Sequence, residues 1–419
     1  MVLGSPLGSK EYVTAQGQKR LQEEKKLLDM LPDLPDVQCA WLLLYFSAVP
    51  RANHLLRTVP PTQANSYAEA RDEAVWRTLL ALLDKKPEEE LLSLRKERAQ
   101  LPCILGGLGL RCAARTSLAA YWASWADVLP TVRERFPELA TALTEELETS
   151  TTHRTCLHEV LAAATKLREE GFEVPSYVAL AEKSAQPPAP TEVDPCEYRH
   201  GWQYHTNTTR ELHFRDNVVW PRCSPAEKAL LRSQSGRNNA RALTAVPCDP
   251  ALQLPNERFR VVLARRLRLP LLLLNSRCEG CGARLDALGD HYSACMRTGR
   301  IQARAKPVER AWERVLKEAG ASVHFQHLLQ NTTLPCDPQD WRRVDVLATG
   351  LPLYRGRALC CDATMRSPLK ANGAPQPGTA KYDGATFRVA EREKRVKYQD
   401  VDVCSFTELL VLAVEPEGR

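Results

Sequence analysis

No stretch of this 419-residue chain is long and apolar enough to cross a bilayer. Its longest apolar runs, Ala40–Val49 and Leu269–Leu274, fall short of the roughly 20 residues that a spanning helix needs. The N-terminus, MVLGSPLGSKEY, lacks the basic-then-apolar plan of a secretory signal. Without export, the 14 cysteines are expected to be reduced thiols and metal ligands rather than a disulfide framework, and the expected compartment is nucleus or cytosol. No internal repeat is apparent. No paired-aspartate motif of a polymerase palm occurs, which excludes DNA synthesis by this chain. The glycines of LPCILGGLGL (Gly106, Gly107, Gly109) lack the lysine and Ser/Thr of a Walker motif and the acidic follow-up of a dinucleotide site. They predict a tight turn before a helix.

What is present is the composition of an ordinary globular protein of two or three domains, with 44% apolar and 26% charged residues. The net charge of +6 is modest, but its distribution is uneven. From Arg258 to Lys306 there are eleven Lys/Arg against three acids. Phosphate is the natural partner of such a strip, and Arg258, Arg265, Arg266 and Arg268 are the candidate nucleic-acid contacts. The alternative is a solvated basic surface that keeps the protein soluble.

Inside that strip lies RCEGCGARLDALGDHYSAC, in which Cys278, Cys281, His291 and Cys295 are spaced C-x2-C-x9-H-x3-C. Two thiolates from a tight turn can grip one side of a metal. A histidine and a third thiolate one helical turn apart can close the other. The loop is too short to bury a core of its own, so a tetrahedral, structural zinc is expected. The alternative is three buried cysteines and an incidental histidine.

The first half reads as helices: Lys10–Leu31, Val37–Ala48, Tyr67–Asp84, the aromatic Ser117–Val128, Phe136–Leu147 and Thr155–Glu170. The proline-rich Ser184–Pro195 is the best linker, followed by short helices at Pro225–Ser233 and Asn256–Leu267. Beyond the cysteines come an amphipathic helix, Lys306–Ala319, with Pro307 at its start, and strands at Val323–Leu329, Arg342–Leu347 and Arg357–Thr364. A helix over Phe387–Tyr398 and a last strand, Leu409–Val414, complete the pattern. The expected class is α+β, with a mostly helical N-terminal region, a small zinc knuckle and a C-terminal sheet flanked by helices. The expected segments are 1–183, a connector 184–255, the basic helix and knuckle 256–300, and 301–419.

Asp345 and Asp362 sit in apolar strand settings, where a carboxylate is costly unless paired. On adjacent antiparallel strands both would point to one face and could hold Mg²⁺. Lys394 and Lys397, at i and i+3, could orient a water and offset charge on a phosphate. Alternatively, Asp345 pairs with Arg342 or Arg343, and Asp362 caps a turn through Ser367. Glu309 is either an auxiliary acid or part of a solvated helix face.

Cys-x2-Cys…His-x3-Cys, then Arg343-Val344-Asp345, then Cys361-Asp362-Ala363-Thr364, then Lys394-Arg395-Val396-Lys397-Tyr398 resembles the C-terminal end of non-LTR retrotransposon proteins. Those carry a restriction-enzyme-like endonuclease of the PD-(D/E)XK superfamily. AVPRANHLLRTVPP and LPCILGGLGLR, upstream, resemble the helical region after the palm in their reverse transcriptases. The resemblance implies a restriction-endonuclease-like domain over 301–419, nicking of target DNA with Asp345, Asp362, Lys394 and Lys397 as catalytic residues, and partners that include DNA, element RNA and a reverse transcriptase on another polypeptide. It equally admits a zinc-dependent binding module without catalysis, or an inert fragment of a decayed element. Val344 replaces the superfamily's proline and Thr364 its lysine. Relatives continue from the last strand into a further helix, so a shortened domain is implied.

Overall fold

A computed structural model describes residues 1–85, 89–189, 200–271, 276–331 and 339–416. The chain divides into two compact units. One comprises Met1–Arg222 and Ala242–Leu267, the other Cys223–Arg241 and Arg268–Arg419.

The first unit is helical. Helices Lys10–Met30 and Pro61–Leu82 pack together around Val13, Leu55, Leu56, Tyr67 and Ala68. Buried in this packing, the Arg71 guanidinium pairs with Glu24, which also accepts the Tyr67 hydroxyl. A second cluster surrounds Trp122 on helix Ala113–Arg135, with Leu143, Leu147, Val160, Leu167, Tyr177 and Trp202. The aromatic helix expected there is therefore core. Gly106 and Gly109 adopt positive φ in the turn before it, as the glycine-rich stretch predicted.

Two helices of this unit, Glu89–Gln100 and Trp202–Phe214, have no counterpart in the sequence reading. The basic helix Asn256–Leu267 matches its expected bounds but belongs to this unit rather than to the knuckle. Asn256 accepts the Val37 N–H, and Trp41 donates to the Leu243 carbonyl. Residues 190–195 of the expected linker, and 196–199 after it, lie outside the described residues.

The second unit is built on one four-stranded sheet in the order β1 (Ser322–Leu328), β2 (Arg343–Thr349), β3 (Ala358–Met365), β4 (Thr407–Val414). The first three strands are antiparallel neighbours, and β4 runs parallel to β3. Leu316 and Val308 of helix Arg300–Glu318 cover Val346, Cys361 and Leu412. Tyr398 and Val401, at the end of helix Ala385–Lys397 and on the short helix after it, pack with Cys360 and Leu409 in a separate cluster. The alternation of apolar side chains thus fills both faces of the sheet. Helix Arg300–Glu318 starts earlier than expected, because Gly299 in the left-handed region opens it and Pro307 is carried inside it. Helix Pro225–Gln234, opened by a Ser224/Glu227 capping box, seats Leu230 against Leu369 in this same unit.

Candidate metal centre and acidic cleft

The four expected ligands converge. One ligand atom each from Cys278, Cys281, His291 and Cys295 lies within 4.8 Å of the others, and among the described residues this is the set of His, Cys, Asp and Glu drawn together in this way. The Cys278 and Cys295 sulfurs are 3.9 Å apart, and the Cys281 sulfur is 3.3 Å from His291 Nε2. A tetrahedron with metal–sulfur bonds near 2.3 Å has sulfur–sulfur edges of roughly 3.8 Å, so the spacing suits zinc.

The surroundings explain the convergence. The Gly282 N–H donates to the Cys278 carbonyl, closing the turn between the first two thiols. A Cβ at Gly280 would lie 2.7 Å from the Arg297 carbonyl, so glycine is required there. Asp286 accepts the N–H groups of Leu288, Asp290 and His291, and thereby starts the short helix that presents His291. Burial opposes ionisation of Asp286, but these donations outweigh it and lower its pKa. His291 Nδ1 meets the Ala371 carbonyl at 3.0 Å, which turns Nε2 toward the thiols. Burial likewise opposes ionisation of Cys278, yet donations from the backbone of Cys281 and Gly280 and bonds with His291 and Cys281 bring its pKa down to about 6. A thiol that ionises so readily is suited to ligation.

The basic strip does not survive as expected. Arg266 is buried, donating to the carbonyls of Gly107 and Cys103. Arg268 is buried in an ion pair with Asp290, one residue before the histidine ligand. Both are therefore corrected from phosphate contacts to internal supports. Arg265 is half-buried, and Arg258 is exposed on the outer face of its helix.

The two acids lie where β2 and β3 part. Their ladder pairs Val346 with Cys361 and stops there, one residue short of Asp345 opposite Asp362. Asp345 enters the gap and accepts the Ala363 N–H at 2.7 Å, while Gln326 donates to it at 3.1 Å. Gln326 adopts positive φ and also donates to Glu309 at 3.2 Å. Glu309 is buried, so it is not part of a solvated face. Asp362, 2% exposed, pairs with the Lys394 ammonium, and Lys397 lies 3.8 Å from its other oxygen. Among the described residues no ion pair joins Asp345 to Arg342 or Arg343: Arg342 binds Asp340 and Asp400, and the Ser367 hydroxyl accepts the Leu369 N–H.

All four expected residues line one cleft of about 590 Å³, together with Glu309, Lys306 and Arg310. Burial and then the Asp362 charge raise the Asp345 pKa, and burial and then Asp345 raise that of Glu309. Burial lowers the Lys397 pKa, and its ammonium donates to the Tyr398 hydroxyl at 2.6 Å. Crowded acids faced by cations can hold a divalent ion or a phosphate. Gln326 and Glu309 escaped sequence reasoning as paired groups. Their positions depend on an off-pattern backbone at Gln326 that no residue type announces.

No protein-family model matches the chain, and no curated protein matches it.

Proposed function

We propose that the chain is a retroelement-derived nucleic-acid-binding protein whose second unit is a zinc-stabilised, Mg²⁺-dependent DNA endonuclease of the restriction-enzyme type. The observation that carries this reading is the cleft in which Asp345, Asp362, Lys394 and Lys397 meet at the parting of two strands. Asp345 and Asp362 would hold the cation, with Glu309 close by. A divalent ion there would acidify a water and offset phosphate charge. Lys397, with a lowered pKa and a tyrosine hydroxyl to steady it, would orient the attacking water. Lys306, Arg310 and Arg343, which line the same cleft, would engage the phosphodiester on either side. The nick would leave a 3′-hydroxyl to prime a reverse transcriptase on another polypeptide. The Cys3His cluster would hold one structural zinc, since no coordination position is left open.

A second reading has its own observation. Lys394 already neutralises Asp362, which removes the electrostatic need for a cation and fits a binding module without catalysis. Purified protein, supercoiled plasmid and Mg²⁺ separate the two. Nicking that vanishes in Asp345→Asn and Asp362→Asn, with DNA affinity kept, supports the endonuclease. No nicking by the parent protein at any Mg²⁺ concentration rejects it.

A further inference from the structure

Within the first unit a separate cleft of about 470 Å³ opens between Tyr45–Asn53, the turn at Gly109–Arg111 and helix Trp202–Phe214. Its size is that of a small-ligand pocket. Phe46 and Tyr204, which line it, are 55% and 41% exposed, so both rings are open to solvent at the cleft. Tyr204 stacks on His200 at 3.8 Å with the planes 13° apart and meets His205 nearly at right angles at 5.3 Å, and 41% of it stays exposed. Tyr45 meets the edge of Phe46 at 4.8 Å and is held against bare backbone: a Cβ at Gly109 would lie 2.7 Å from its ring.

The polar lining is as selective as the rings. Arg111 is exposed and is the charged residue among those lining the cleft. Gln203 is committed to Arg57 and Asn53. Asn207 lies one turn beyond Tyr204 on the same helical face, is 8% exposed, and has an amide nitrogen with no hydrogen-bond partner. A buried amide left unpaired is destabilising, and a ligand with ring acceptors would satisfy it.

We infer that this cleft binds an unstacked nucleotide, its base against Tyr204 and Phe46, its edge read by Asn207 and its phosphate met by Arg111. Aromatic faces beside a guanidinium are the combination that captures single-stranded bases, and the absence of any acid in the lining suits a phosphate. The site deepens the nucleic-acid side of the proposed function and does not depend on cleavage.

Fluorescence anisotropy of a labelled 12-mer, as RNA, as DNA and as blunt DNA duplex, tests it on the full chain without Mg²⁺, where no cleavage can intervene. Phe46→Leu keeps the apolar volume but removes the ring, and Tyr204→Leu does the same on the helix. Each should weaken single-strand binding roughly tenfold and duplex binding little. Arg111→Gln should reduce the salt slope by about 0.7. Competition by millimolar AMP would assign the site to free nucleotides, and its absence to strands. Ring variants with unchanged melting that bind single strands as tightly as the parent overturn the inference, as does a parent that binds neither strand nor AMP.

Discussion

The metal centre and the acidic cleft belong to the same unit, yet they solve the problem of crowded ligands in opposite ways. Around Cys278, Cys281, His291 and Cys295 the ligand atoms crowd within 4.8 Å of one another. Around Asp345 and Asp362, every crowded acid already has a protein partner: Lys394, Lys397, Gln326 or the Ala363 N–H. The first arrangement is suited to a cation such as zinc. The second stands without one, its acids held by lysines, an amide and a backbone N–H. The two clusters thus differ in whether the protein itself already balances their charge.

The largest effect that would break this comparison is at the thiols. Protein purified without added zinc should carry about one equivalent, and Cys281→Ser should lose it together with most of the unit's thermal stability, since structural zinc contributes roughly 10–16 kcal/mol. A Cys281→Ser protein with full zinc content and an unchanged melt would refute the assignment. Next is the buried Arg268–Asp290 pair. Arg268→Met, which strands Asp290, should cost about 3–5 kcal/mol in chemical denaturation. A loss below about 1 kcal/mol would return Arg268 to the surface role first expected of it.

The acids should behave in the reverse sense. Burial raises the folded pKa of Asp345 and Glu309, aided by the charge of Asp362 for the first and of Asp345 for the second. Their cost is absent while both states are protonated, and it grows as pH rises from the unfolded carboxylate range through the raised values. Asp345→Asn should therefore flatten the fall in stability above about pH 4 without lowering the neutral-pH melt, while abolishing any nicking. A melt that drops sharply in Asp345→Asn would mean that the carboxylate is structural. The smallest effect concerns salt: Arg258→Gln should lower the slope of log K against log salt by about 0.9 if it meets a phosphate, whereas Arg266→Gln should change stability and leave the slope alone.

Local signals were legible and long-range ones were not. Helix Asn256–Leu267 has its expected bounds, and the four metal ligands meet as their spacing implied. Charge could be read at Arg266 and Arg268, but burial could not, because their partners, Gly107 and Asp290, are chosen by the fold rather than by neighbouring residues. Glu309 was misjudged for the same reason, since Gln326 reaches it from a strand. Pro307 looked like a helix start because proline favours the first turn. The left-handed Gly299 takes that role, and the helix absorbs the proline.

The chain passes back and forth between its units, with Cys223–Arg241 lying in the second before Ala242–Leu267 returns to the first. Leu230, from that early excursion, covers Leu369, two residues before the carbonyl that orients His291. The consequence is one of inheritance. Recombination or cloning that joins a new partner at residue 268 would deliver the cysteines, the acids and the lysines, but leave behind the helix that roofs the loop beneath the histidine. The unit can be passed on whole only with its sequence neighbour attached.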